Sequence, residues 1–302
     1  FVAEDGVGYD LIHSHYWLSG WVARELKRDW DVPIVHMFHT LGRMKDAVAR
    51  TAAEREVDVR DKVEQEIMRF ADHIVAATPL DKEQMLGLYD ADAAKISVIP
   101  CGVDLDMFHP IPRQEAKAYI GGPIADRKMI LFVGRLDPVK GLGTLLEAIC
   151  ELAHGSHDTA RRVCLAVIGG DAESASEAMN NADCLDDLKA RFDLSDLVVF
   201  LGSRAQDTLA YYYSAAEVCV MPSRYESFGM VALEAMACGT PVIASRVGGL
   251  MFTVQDGVTG FLVPEGDPKA LAAKLELILA DPALRDRLGQ KALVAARSFT
   301  WE

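Results

Sequence analysis

Short apolar runs alternate with longer stretches of helical periodicity along this chain. The runs at 10–15, 34–40, 73–78 and 96–101, and then at 129–135, 164–169, 197–202, 218–221, 242–245 and 260–263, are bounded by turn residues, as buried strands are. A period near 3.6 predicts helices over 18–30, 53–71, 82–89, 143–153, 229–238, 268–280 and 282–297. Strand follows helix follows strand, which implies parallel sheets covered by helices on both faces.

A segment at 108–127 interrupts the alternation with Pro110, Pro112, Gly121, Gly122 and Pro123 around a short polar helix. It divides the chain into residues 1–122, a Rossmann-like part with its linker, and 123–302, which has enough strands for a complete doubly wound domain. The first part has too few strands and reads as decapitated. Phe1 is not a natural start, so the text is expected to begin mid-protein, and a targeting segment would lie outside it. Ligands of such sheets sit beyond the carboxyl ends of the strands. That rule puts His15, His39, Arg135, Gly169, Gly202 and Glu226 on the side where chemistry is expected.

Composition narrows the function. Fifty per cent hydrophobic residues in a chain of 302 suffice for two cores. A net charge of −14 argues against a nucleic-acid surface. The six cysteines, Cys101, Cys150, Cys164, Cys184, Cys219 and Cys238, form no CxxC pair, which suggests a reduced, cytoplasmic protein without a zinc site. No apolar run approaches the roughly 20 residues that cross a bilayer, and membrane association is not expected. Nothing in the pattern fixes an oligomeric state.

The most informative stretch starts where the strand at 218–221 meets Pro222. A polar loop, Ser223-Arg224-Tyr225-Glu226-Ser227-Phe228-Gly229, leads into an Ala- and Met-rich helix that closes at Gly239. The first turn of that helix offers free N–H groups and a positive dipole end, suited to an anion or a sugar hydroxyl. Glu226 and Glu234 either relieve the dipole or bind ligand. Glu234 lies in an otherwise apolar helix and needs a partner. A second motif, Gly134-Arg135-Leu136-Asp137-Pro138-Val139-Lys140-Gly141, follows a strand and precedes a helix, so Arg135 and Lys140 read as a diphosphate clamp or as a solvated basic loop. No Walker A sequence and no GxGxxG after a strand is present.

Other features carry less. His13, His15, His36 and His39 stand at or near strand ends, as structural histidines or as part of a site, with Phe38-His39-Thr40 the more site-like place. Asp104-Leu105-Asp106 is a DxD triplet that reads as a turn rather than a metal site. Trp17, Trp21 and Trp30 with Arg24, Lys27 and Arg28 fit a helix packed on its sheet better than a membrane or partner helix.

Together, the 134–141 motif, the Glu226/Glu234 pair and Gly239-Thr240-Pro241-Val242 resemble retaining glycosyltransferases of family 4. That resemblance implies the GT-B fold of two facing Rossmann-like domains, here with a truncated N-terminal one. The acid pair looks like the family's E-x7-E motif. His13-Ser14-His15-Tyr16-Trp17-Leu18-Ser19-Gly20 and His39-Thr40-Leu41-Gly42 resemble the branch of inositol-3-phosphate glycosyltransferases and sucrose-phosphate synthases. The resemblance implies a donor that is a nucleotide-diphosphate sugar, a UDP-sugar favoured, with no cofactor and no metal. Arg135 and Lys140 would hold its diphosphate. Glu234 would meet the ribose, and Glu226 with the N–H groups at Phe228 and Gly229 the sugar. Backbone near Gly202 and Arg204 would meet the base. His39 would line the reaction centre. Tyr16, Thr40 and Arg60, with Lys45 adding charge, match positions that contact a phosphorylated acceptor. The family's glycine-rich N-terminal loop is missing from this text, and 299–302 looks like the start of a closing helix cut short, so the resemblance leaves open whether the fragment itself is active.

Two other readings stand beside transfer. Sugar-nucleotide epimerases share the architecture, as do phosphorylases with pyridoxal phosphate, although Lys140 is the sole candidate for a cofactor lysine. A non-catalytic nucleotide-sugar-binding module is the third, against which the four charged residues of the two motifs argue.

Overall fold

Ten parallel strands in two sheets carry the chain, seen in a computed structural model that describes residues 8–155, 162–171, 173–174 and 197–301. They belong to two units, Phe1–Pro100 and Cys101–Glu302. All ten predicted strands are present, most of them buried and bounded as parallel strands require, with β1 an edge strand exposed at His13 and His15.

In the first unit, β1 (Ile12–His15), β2 (Ile34–Met37), β3 (His73–Ala76) and β4 (Ile96–Val98) lie in sequence order, all parallel. The described helices are α1 (Tyr16–Trp30), α2 (Gly42–Val48), α3 (Asp58–Phe70) and α4 (Pro79–Tyr89). Ile34, Phe38, Ile67, Met68, Ile74 and Met85 build the core, each worth about 1.5–3 kcal/mol of burial. Trp17, Gly20 and Ala23 turn inward on α1, so this helix packs on its sheet. Thr78 accepts from the Asp81 N–H at 3.1 Å, with Pro79 in the first turn, and so starts α4.

The continuous helix predicted over 53–71 is interrupted. Ala52–Glu54 is a 3₁₀ turn and Val57 is extended before α3 begins. The Glu56 N–H donates to Asp46 Oδ1 at 2.7 Å, a tertiary partner in place of a helical carbonyl. Helix α2 was not anticipated, since seven residues give too few turns for a period to register.

In the second unit, β5 (Lys128–Val133), β6 (Val163–Ile168), β7 (Val198–Gly202), β8 (Val218–Met221), β9 (Val242–Ser245) and β10 (Gly260–Val263) pair in the order β10-β9-β8-β5-β6-β7. The described helices are α5 (Arg113–Ile120), α6 (Gly122–Ala125), α7 (Leu142–Gly155), α8 (Leu209–Ala215), α9 (Met230–Ala237), α10 (Leu250–Thr253), α11 (Pro268–Ala280) and α12 (Pro282–Ala296). The core runs through Ile130, Leu145, Leu165, Val220, Ile243 and Leu275. Helix α5 stacks Tyr119 on Tyr211 at 4.0 Å and donates from Arg113 to the Ala216 carbonyl at 2.8 Å. Asp104 Oδ1 accepts from the N–H groups of Asp106 and Met107, at 2.9 and 3.1 Å, so the carboxylate of the DxD triplet closes its own turn.

One expectation from the cysteines is corrected. Cys150 on α7 is disulfide-bonded rather than a reduced thiol. A bridge needs only two Cβ atoms about 4 Å apart, a proximity that spacing along the chain does not reveal.

Candidate active site

Strand order places the site of the second unit. From β5 the chain moves outward to β6 and β7, then returns to β8 on the other side of β5. Order reverses between β5 and β8, and ligands of doubly wound sheets bind at the carboxyl ends beside such a reversal. The loop after β5 carries Lys140, and the loop after β8 carries Glu226.

These loops touch backbone to backbone. The Arg224 N–H donates to the Val139 carbonyl at 2.8 Å. Gly141 has φ +73°, and a Cβ there would stand 2.0 Å from the Pro222 carbonyl oxygen, so only glycine fits. The loop after β9 closes the other side, the Gly249 N–H donating to the Glu226 carbonyl at 2.7 Å. Asp137 Oδ1 accepts from the Val139 N–H at 3.0 Å and fixes the 3₁₀ turn that ends at Lys140.

As a result Lys140 Nζ donates to Glu226 Oε2 at 2.7 Å, with the side chains 23 and 16% exposed. Screening of such a pair is partial, and an ammonium poised beside a carboxylate can take a phosphate as a second partner. Just beyond, Gly229 takes a left-handed conformation, φ 92°, and opens α9. Phe228 is buried against Phe252 and Phe299, so it offers a ligand its backbone and not its ring.

Glu234 is buried in α9, and the partner its burial demands is Tyr213, whose hydroxyl donates to Oε2 at 2.7 Å. Burial pushes the carboxyl up, and the Tyr213 hydrogen bond pulls it partly back. Tyr213 is fixed in turn by Thr240, whose hydroxyl donates to its carbonyl at 2.6 Å. Sequence reasoning missed Tyr213. The run Tyr211-Tyr212-Tyr213 was a signal, but only the fold shows which ring faces inward.

The remaining expected donor residues are spread along the rim. Arg135 has a side chain 77% exposed, with its guanidinium 3.9 Å from Asp137 Oδ2. Gly202 ends β7 with φ +66°, and Arg204 Nε donates to Tyr212 Oη at 3.1 Å. Gly169 has φ +121° and accommodates the Gly134 carbonyl, 2.0 Å from where a Cβ would be.

The first unit gathers two clusters. His15 Nδ1 and His39 Nε2 are 2.8 Å apart, with His13 against His15 at 4.2 Å between ring centres. His39 holds φ +61° just past β2. Burial, and then neighbouring imidazoles, push His15 and His39 down, toward the neutral form. His36 is deeper, bonded to Ser14 Oγ at 2.7 Å, and burial takes it to about 3.

Around Arg60 lies the second cluster. Its guanidinium is fully buried and donates to Glu64 at 2.7 Å, to the Thr40 carbonyl at 2.7 Å, to Thr40 Oγ1 at 3.0 Å and to Tyr16 Oη at 3.3 Å. Glu56 completes the set at 3.0 Å and also pairs with Lys45. The expected Tyr16, Thr40, Lys45 and Arg60 are therefore brought together, and Glu56 and Glu64 join them unpredicted.

Comparison with known proteins agrees with this architecture. The profile described as "Glycosyl transferases group 1" matches residues 115–294, and the one described as "Glycosyltransferase Family 4" matches residues 2–107. A D-inositol 3-phosphate glycosyltransferase of Kineococcus radiotolerans is 42% identical over 302 residues, covering 97% of this chain and 68% of that protein. One of Frankia alni is 41% identical over 293 residues, covering 97% and 71%. The sucrose-phosphate synthase structure from Thermosynechococcus elongatus superposes with a TM-score of 0.85 at 39% identity, covering 99% of this chain and 71% of that one.

Two Rossmann-like parallel units, with the likeness to sucrose-phosphate synthase, define an enzyme of the GT-B class. The chain belongs to the group 1/family 4 glycosyltransferases.

Proposed function

We propose that the chain transfers a hexosyl group from a nucleotide-diphosphate sugar, a UDP-sugar favoured, to a hydroxyl of a small phosphorylated acceptor, with retention at the anomeric carbon. The carrying observation is the Lys140–Glu226 pair at the point where strand order reverses, beside the start of α9. Lys140, with Arg135 reaching in from solvent, neutralises the diphosphate as the bond from the anomeric carbon to its oxygen breaks, a preorganised electrostatic contribution. Glu226 and the N–H groups at Phe228 and Gly229 orient the sugar. Glu234, held by Tyr213, accepts from the ribose. Backbone at Gly202 with Arg204 meets the base. The acceptor oxygen bonds to the anomeric carbon on the face the diphosphate leaves, and its proton passes to the departing phosphate oxygen. His39 lines that centre.

Relatives named for inositol 3-phosphate and for sucrose phosphate support an acceptor with a phosphate. Tyr16, Thr40 and Arg60, with Lys45, are the residues that would read it. The resemblance in sequence to that branch favours uridine. Cytoplasmic location goes with this reading and is checked by cell fractionation.

The test uses full-length protein with UDP-glucose, UDP-N-acetylglucosamine and GDP-mannose, each with and without inositol 3-phosphate or fructose 6-phosphate. Nucleoside diphosphate release that requires acceptor, and an axial glycosidic linkage by proton NMR, are the expected results. Donor interconversion without acceptor would instead mean epimerisation, and tight donor binding without turnover a binding module.

A further inference from the structure

Every N–H of Arg60 is already engaged. A guanidinium has five, and five contacts meet them: Glu64 at Nε, Glu56 and Tyr16 at one terminal nitrogen, and the Thr40 carbonyl and hydroxyl at the other. A ligand anion can reach this cation only by replacing one of them.

The two carboxylates are unequal candidates. Glu64 is completely buried, and its Oε2 also accepts from the Gly42 N–H at 2.9 Å and from the Tyr89 hydroxyl at 2.5 Å. Moving it would strand a backbone donor and a phenol inside the protein, each a loss of about 1–3 kcal/mol. Glu56 lies in the extended segment between the 3₁₀ turn and α3, with its side chain 16% exposed. It is held by Lys45 and Arg60, whose hydrogen bonds outweigh the cost of its burial and keep it ionised. One carboxylate between an ammonium and a guanidinium, next to the Tyr16 and Thr40 hydroxyls, marks where an anion sits. A phosphate brings more charge and three acceptor oxygens to the same two cations.

We infer that Glu56 is an internal counter-anion, occupying the anion position of the acceptor subsite until the acceptor's phosphate displaces it, while Glu64 stays as the fixed anchor of Arg60. This rests on the reading of the acceptor as phosphorylated. It makes Glu56 a specificity-determining residue. A neutral polyol cannot compensate Lys45 and Arg60 for the loss of a carboxylate, so it does not open the subsite, whereas a phosphate does.

Calorimetric titration of the full-length protein with inorganic phosphate, and separately with inositol 3-phosphate, tests the exchange. Glu56→Gln removes the competing charge and is expected to tighten both by about tenfold, the size of one charge-assisted hydrogen bond, with the KM for the nucleotide sugar unchanged. Glu56→Asp keeps the charge with a shorter reach and is expected to tighten binding less, which covers the case in which the glutamine variant misfolds. If phosphate binds the wild type and Lys45→Met weakens it, but neither Glu56 variant tightens it, the exchange is wrong and the acceptor reading survives. If neither anion binds wild type or Glu56→Gln, both are wrong.

Discussion

Lys140 and Glu226, 86 positions apart, meet at 2.7 Å between loops that leave adjacent strands in the same direction. The pair depends on the glycine contact of the two loops as much as on its own charges. Removing the ammonium leaves Glu226 without its cation and, on the proposed reading, the donor diphosphate without a partner.

Lys140→Ala is expected to lower kcat/KM by about 10²–10³, or roughly 2–4 kcal/mol, if the ammonium acts as one donor to the leaving group. Steady-state kinetics with saturating acceptor reads the change. Turnover equal to wild type would remove Lys140 from the chemistry.

Gly141→Ala tests the scaffold. The substitution demands a left-handed alanine and displaces the Pro222 carbonyl, which lies 2.0 Å from the new methyl carbon. The two loops must part, so activity is expected to fall at least tenfold. The melting temperature should change much less than for a core truncation. Wild-type kcat/KM in this variant would show that the loop contact is dispensable.

Tyr213→Phe removes the hydrogen bond to a buried carboxylate. The folded-state pKa of Glu234 already lies above its unfolded value, so the native state binds the extra proton and stability falls as pH rises through that window. The variant should raise this pKa further and steepen the fall, and donor KM should rise more at low pH, where Glu234 is protonated. Denaturant melts and donor KM across pH, beside wild type, read both effects. Identical pH profiles for the two proteins would mean the hydroxyl does not tune Glu234.

His36 predicts the opposite slope in the first unit. Its folded pKa, about 3, lies below the ordinary 6.5, so the unfolded chain binds the proton first. The stability this supports is present above pH 6.5 and drains away as pH falls toward 3. His36→Gln is expected to flatten the acid limb of the unfolding curve, at some cost in neutral stability from the lost Ser14 contact. A limb as steep as that of wild type would put acid sensitivity elsewhere.

Much of this was legible along the chain. All ten strands follow from apolar runs, and the loop glycines mark where backbones approach. Lys140 and Glu226 were visible because each follows a strand in a chain whose strands must be parallel. Tyr213, Glu56 and Glu64 were not. Each is an ordinary residue of a helix or loop with a partner 21, 11 or 22 positions away, and for Glu56 and Glu64 the Arg60 four positions off is a spacing that many exposed helix pairs share.

Periodicity and turn chemistry are local, so the sequence by itself determined the strands, most helices, the parallel class and the two charged loops. Strand order is not local. Whether β8 returns beside β5 depends on which packing buries the most apolar surface, and without that choice the loop contacts could not bring Lys140 to Glu226. Tertiary structure likewise decided the partners of the buried charges. A carboxylate removed from water takes whichever donor the fold sets within about 3 Å, as Tyr213 is for Glu234 and Arg60 for Glu64.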